Sequence, residues 1–66
     1  MTGEELREYR AKRGLSQQAL GELLGYKGLS AQITVQRWEK GIRPIPMKHI
    51  RKLAEIFDIP TDKFIP

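Results

Sequence analysis

Amide and guanidinium side chains cluster in the middle of this chain. Gln32 and Gln36 each carry an amide that can pair with the edge of adenine, and Arg37 carries the planar fork that matches guanine. Val35 and Trp38 lie three residues apart, which is the spacing of a buried helical face. The pattern indicates a helix with one face in the core and the other free to contact the edges of DNA bases.

Ile33 is the exception on this outer face, because an isoleucine there has no role in folding. It either packs against the preceding segment through Leu29 or contacts a thymine methyl group in the major groove of DNA. The residues alone leave both alternatives open.

Positive charge is concentrated around this predicted helix. The 66-residue chain has a net charge of +4, but residues 27–52 alone hold seven basic residues and one acid, a net +6. Lys40 and Arg43 follow the predicted helix in a stretch that Pro44 and Pro46 stiffen. A concentrated positive surface gains binding free energy when nucleic acid releases its counterions. Lys40 and Arg43 are therefore the expected contacts with DNA phosphates.

Local signals divide the rest of the chain into the helices that must position this face. Thr2 and Glu5 form a capping box, Ser16 is a good N-cap, and glycines follow the apolar periodic stretches as stop signals. The predicted elements are helix one from Gly3 to Arg13, helix two from Gln17 to Leu24, helix three from a cap at Ser30 or Ala31 to a stop at Gly41, helix four from Met47 to Phe57, and a last short turn capped by Thr61. Helix four is expected to bury Met47, Ile50, Leu53, Ala54 and Phe57.

Composition excludes several classes of function. We predict a single domain over residues 1–66, which is too small to enclose a large active-site cavity. The chain has no cysteine and one histidine, His49, so neither a zinc centre nor a Ser/His/Asp triad is expected. We therefore predict no enzyme activity, no metal, no cofactor and no small-molecule substrate. No stretch is apolar enough for a membrane segment, and the expected localisation is cytoplasmic.

Three strings of residues carry a family resemblance that covers essentially the whole chain. GLSQQALGELLG, TVQRWEKG and RPIP together resemble the lambda-repressor-like (Xre or Cro type) DNA-binding domain. The resemblance implies an all-α, compact five-helix domain in which helices two and three form a helix-turn-helix. It also implies that the partner is double-stranded operator DNA, bound by a homodimer, and that the protein is a transcriptional repressor of a bacterium, phage or mobile element.

The resemblance also assigns roles to particular residues. Gln17 matches the position on helix two that contacts a DNA phosphate. Arg10 and Glu39 match a partly buried salt bridge between helices one and three, so Arg10 is expected to be an internal brace rather than a DNA contact. The positions that match the outer face of the recognition helix are Gln32, Ile33, Thr34, Gln36 and Arg37.

One stretch departs from the family pattern, because about four residues, Tyr26 to Leu29, are extra between helices two and three. Either the turn is a longer loop, or helix two gains a turn and stops at Gly28. The loop is the preferred interpretation, since Gly25 inside a helix would cost about 1 kcal/mol. From such a loop Lys27 would add a phosphate contact, or would simply be solvated.

The end of the chain and the class of regulator leave further alternatives. Phe64 and Ile65 either close the small core or form part of a dimer surface. An antitoxin-type regulator would bind DNA and also a partner protein, whereas a pure interaction adaptor would show no preference among duplex sequences.

Overall fold

The structure is a computed structural model that describes residues 1–65. Over that range the chain folds into helices and the turns that connect them. The helices are α1 (Gly3–Lys12), α2 (Gln17–Leu23), α3 (Gly28–Glu39) and α4 (Ile50–Phe57), with 3-10 turns at Met47–His49 and Thr61–Phe64. An all-helical fold is therefore confirmed, but the described residues contain four α-helices rather than five. The expected fifth helix is only the short 3-10 turn after Pro60.

The first two helices begin where the local signals predict. The Thr2 hydroxyl accepts a hydrogen bond from the backbone N–H of Glu5 at 3.1 Å, and the Glu5 carboxylate accepts one from the N–H of Thr2 at 2.9 Å. The Ser16 hydroxyl accepts from the N–H of Ala19 at 2.9 Å. Both helices end one residue earlier than predicted, and a left-handed Gly25 at φ +103° follows α2.

Helices α2 and α3 pack with unusually close backbones. Gly21 is buried where the two helices meet, and a Cβ atom there would lie 2.5 Å from the carbonyl oxygen of Ala31. That distance is shorter than any real contact of a Cβ atom, so only glycine allows this approach. The helix-turn-helix pair is thereby fixed as one rigid unit.

The core lies between all four helices and the last turn. It consists of Leu6, Leu20, Val35, Trp38, Leu53, Ala54, Phe57 and Phe64. Phe64 therefore closes the core, whereas Ile65 is 61% exposed. The expected burial of Met47 is wrong, because its side chain is 81% exposed. Helix α4 begins only at Ile50, and Met47 lies in the preceding 3-10 turn at the rim of the core.

The start of α3 differs from the sequence-based prediction. A cap at Ser30 or Ala31 is wrong, because the helix begins at Gly28 and Lys27 occupies the N-cap position without a capping side-chain bond. The backbone enters the helix through Gly28 at φ +55°, and the N–H of Ala31 donates to the carbonyl of Lys27 at 3.4 Å. Helix α3 is therefore longer at its N-terminus than the capping signals indicate.

The extra residues between α2 and α3 are divided between the turn and the helix. The predicted long loop is wrong for Gly28 and Leu29, which belong to α3, while Tyr26 and Lys27 remain in the turn. An extended α2 is also wrong, because that helix stops before Gly25. Residues inside a helix bond their own backbone polar groups, whereas a longer loop would leave those groups to water.

Tyr26 explains why the turn stays short. Its hydroxyl lies 2.9 Å from Nε2 of His49, and its ring meets the ring of Trp38 edge-on at a centroid distance of 6.1 Å. The His49 ring in turn lies 5.7 Å from Trp38. Burial in this cluster, and then the positive charge of Lys48, lower the pKa of His49 below its ordinary value.

This cluster predicts a dependence of stability on pH. Because the pKa of His49 is lower in the folded state, its stabilising contribution is complete above pH 6.5, the ordinary value, and is lost as the pH falls from there. We expect the free energy of unfolding to fall with acidification below that pH, and His49→Phe to remove this part of the dependence. Urea melts of both proteins over a pH series test it, with Tyr26→Phe as a control that retains the histidine. Equal slopes for wild type and His49→Phe would contradict the assignment.

Candidate nucleic-acid interface

Helix α3 is fixed at its C-terminal end by a charged pair that is largely removed from water. The Arg10 guanidinium donates to both carboxylate oxygens of Glu39, from Nε at 2.6 Å and from Nη2 at 3.1 Å. The two side chains are only 15% and 6% exposed, respectively. Arg10 Nη1 also donates to the carbonyl of Leu15 at 2.9 Å, so α1, the turn after it and α3 are connected by one side chain. Arg10 is therefore turned into the protein, as a brace.

Gln17 connects this brace to the outer surface. Its amide nitrogen donates to Oε1 of Glu39 at 3.1 Å. That bond uses one of the two amide hydrogens, so the second hydrogen and the amide oxygen stay free for an outside partner. Glu39 thus holds the first side chain of α2 in a fixed orientation beside the end of α3.

Two shallow depressions flank Gln17 along the seam between α2 and α3. One has a volume of about 350 Å³ and is lined by Arg10, Ser16, Gln17, Gln18 and Gln32. The other has a volume of about 240 Å³ and is lined by Arg7, Arg10, Gln17, Gln36, Glu39 and Lys40. Four residues that the sequence assigns to DNA contacts, Gln17, Gln32, Gln36 and Lys40, therefore share one continuous surface. Ile33, Thr34, Arg37, Lys27 and Arg43 line neither depression.

The two faces of α3 are chemically distinct. Its buried side chains are Ala31, Val35 and Trp38, and the remaining predicted contact residues are exposed or half-buried. Gln32 and Arg37 are exposed, while Ile33 and Gln36 are half-buried. The hydroxyl of Thr34 donates to the carbonyl of Ser30 at 2.7 Å, so it is engaged within its own helix.

Basic side chains lie at both ends of this helix. Lys27 precedes α3, Lys40 follows it, and both are exposed. The backbone N–H of Arg43 donates to the carbonyl of Arg37 at 3.4 Å, which keeps Arg43 close to the helix end. A polyanion that lies along the outer face would therefore meet positive charge at each end of α3.

Arg7 is a residue of this surface that the sequence patterns miss. It lies on α1, one turn before Arg10, and lines the same depression as Lys40 and Gln36. The only signal for it in the sequence is this three-residue spacing from the brace arginine. Arg7 adds a third cation to the seam.

Among residues 1–65, no group of three or more His, Cys, Asp or Glu side chains is arranged to hold a metal ion. Within the same range, no helix is both long enough and apolar enough to cross a membrane.

Helices α2 and α3, joined by a short turn, form a helix-turn-helix. The family model described as Helix-turn-helix matches residues 6–64, and the chain belongs to this lambda-repressor-like family. The chain is 44% identical over 61 residues to a Pyrococcus furiosus protein that its name provisionally calls an HTH-type transcriptional regulatory protein. That match covers 92% of this chain but 18% of the relative, so the chain spans about a fifth of the relative's length. No solved structure gives a significant match.

The brace predicts a large cost for removing one charge. Glu39→Ala leaves the Arg10 guanidinium largely buried without its carboxylate, and we expect a loss of about 3 kcal/mol or more in the free energy of unfolding. Urea melts measure it, with Glu55→Ala on the exposed side of α4 as the control, for which the change should stay within about 0.5 kcal/mol. The double variant Arg10→Met/Glu39→Leu removes both charges and should lose less than Glu39→Ala alone. A loss below about 1 kcal/mol for Glu39→Ala would mean that the pair behaves as a surface ion pair.

Proposed function

We propose that the protein binds double-stranded DNA sequence-specifically, with α3 in the major groove, and acts as a transcriptional repressor. The observation that carries the proposal is the fixed orientation of α3, whose C-terminal end is braced by Arg10 and Glu39. Its outer face presents amide and guanidinium groups beside Gln17 of α2. A helix of twelve residues is about 18 Å long, which suits a groove that admits one α-helix.

The proposal includes two kinds of contact with DNA, to phosphates and to base edges. Gln17, Lys27, Lys40 and Arg43 contact phosphates and set the position of the domain on the duplex, without reading its sequence. The base edges are contacted by the outer face of α3, that is by Gln32, Ile33, Thr34, Gln36 and Arg37. The hydroxyl hydrogen of Thr34 is used in the bond to Ser30, so its oxygen, as an acceptor, and its methyl group remain for a base edge.

Repression is the regulatory sense of this proposal. The described residues build one small helical core with a single polar seam, and the Pyrococcus furiosus relative is named as a transcriptional regulatory protein. A domain that only occupies its site acts by excluding other proteins from the same DNA. Repression by occupancy therefore needs only the DNA contacts proposed above.

Variants of Arg37 and Arg43 test base contacts and phosphate contacts separately. Arg37→Ala should relax the preference at one base pair by about 1 to 3 kcal/mol while leaving binding to random duplex nearly unchanged. Arg43→Ala is the matched control, which should weaken all duplexes alike and lower the salt slope by about one unit. The measurement is binding to every single-base variant of a site selected from a random pool, repeated across a salt series. If Arg37→Ala lowered all affinities by one common factor, Arg37 would be a phosphate contact only.

A second surface supports binding by two copies. An apolar groove of about 410 Å³ lies away from the seam and is lined by Met1, Pro44, Ile45, Met47, Ile50, Phe64 and Ile65. Met47 and Ile65 are largely exposed there. A single domain of this size makes few base contacts, so two copies on half-sites about one helical turn apart would raise affinity.

We therefore expect a homodimer on DNA. Sedimentation of the protein with its selected operator should show two chains per duplex. Met47→Glu, which puts a charge in the groove, should leave one chain per duplex, whereas the control Met47→Leu should keep two. A selected site without two-fold symmetry, or one wild-type chain per duplex, would contradict the dimer.

A further inference from the structure

An exposed leucine stands at the start of the recognition helix. Leu29 is the second residue of α3 and is 67% exposed. The side of α3 that faces the core holds Ala31, Val35 and Trp38. At about 100° per residue, Leu29 points away from all three and does not contribute to the core.

Leu29 lies on the same helical face as the predicted base contacts. Gln32, Ile33 and Gln36 follow it by three, four and seven residues, and positions at this spacing are neighbours on one side of a helix. Each residue advances the helix by about 1.5 Å, so Leu29 lies about 5 Å nearer the N-terminus than Gln32 and Ile33. That offset corresponds to about one further base pair.

The position exists because of the extra residues between α2 and α3. They lengthen α3 at its N-terminus, and the N-terminal residues of a recognition helix are those that contact base edges in a helix-turn-helix. The extension also determines where Leu29 lies relative to Ile33. Leu29 is not in a loop that covers Ile33 but in the same helix one turn before it, so the two side chains form one apolar ridge.

The surroundings of this ridge favour DNA over a protein partner. Gln32, Gln36 and Ser30 border it with polar groups, so it is too small for the apolar patches of several hundred Å² that mark protein interfaces. Lys27 and Lys40 bracket the helix with positive charge, and Glu39, its only acid, is held inward by Arg10. The charges on this face thus suit a polyanion, and an aliphatic side chain has one matching group in the major groove, the thymine methyl.

We infer that Leu29 is an additional specificity-determining residue, which contacts a thymine methyl group one base pair beyond those read by Gln32 and Ile33. This inference rests on the proposed function, since it assigns a base contact within the same interface. It differs from the family resemblance because it concerns a residue that the family pattern lacks.

The test removes the methyl group and the leucine separately and together. Each thymine of the selected operator is replaced in turn by deoxyuridine, which differs only in lacking the C5 methyl. We expect one such replacement, at a thymine whose contribution does not change in Ile33→Ala, to weaken binding of wild type. The expected loss of affinity is about fourfold, which corresponds to the burial of one methyl group. In Leu29→Ala, the same replacement should have no effect, because the partner of the methyl is already absent.

Controls distinguish this contact from a general loss of affinity or folding. Leu23→Ala removes another exposed leucine, from the end of α2, and should keep the full sensitivity to deoxyuridine. Thermal melts should show Leu29→Ala folded as wild type, as expected for so exposed a side chain.

The outcomes separate this inference from the proposed function. Suppose that the protein selects a preferred duplex, and that every deoxyuridine replacement that weakens binding of wild type weakens binding of Leu29→Ala equally. The contact of Leu29 is then absent and the proposed function stands. Selection of no preferred duplex at all would overturn both. If Leu29→Ala changes the number of chains per duplex while the sensitivity to every methyl persists, the ridge is a protein contact and the inference fails.

Discussion

The position of helix α3 depends on the ion pair between Arg10 and Glu39. Removing two charges from water is costly, and their attraction repays that cost only when the geometry is good and the remaining donors are bonded. Here the guanidinium bonds both carboxylate oxygens and the carbonyl of Leu15, and Gln17 supplies a further donor to Glu39. No buried side-chain polar atom of the described residues lacks a partner. The consequence is positional, because one pair fixes the end of α3 against α1 and the start of α2.

A second constraint acts at the other end of the same helix. Gly21 brings the backbones of α2 and α3 together at Ala31, and Tyr26 anchors the turn against Trp38 and His49. Packing at one end and the ion pair at the other leave α3 little freedom to rotate about its axis. Which side chains face outward is therefore decided by the core, so a polar residue on that face can change without a change in the fold.

The parts of the fold that local interactions decide could be predicted from the sequence. The capping box at Thr2, the cap at Ser16 and the stop at Gly25 involve groups only a few residues apart, and the helices begin there as predicted. The start of α3 could not be predicted, because it depends on the docking of Tyr26 on side chains more than ten residues away. For the interface, the core spacing of Val35 and Trp38 predicted which face is free. The position of Arg7 in the seam and the exposed position of Leu29 on α3 could be seen only in the packed structure.

The extra residues between α2 and α3 lie partly in the turn and partly at the start of α3, and this division has a physical reason. A longer loop would have exposed backbone groups and cost conformational entropy, whereas added residues of a helix bond one another. Helix α2 does not take up the extra residues, because it ends before Gly25, whose backbone is left-handed at φ +103°. At the N-terminus of α3, the backbone N–H of Gly28 donates to the Glu22 carboxylate at 3.4 Å and Leu29 is exposed, so the first turn of the helix is accommodated at the surface. The extra residues therefore lengthen α3 at its N-terminus, whereas its C-terminal end is held by the brace. In this architecture, the length of the outer face of α3 can change separately from the interactions that stabilise the fold.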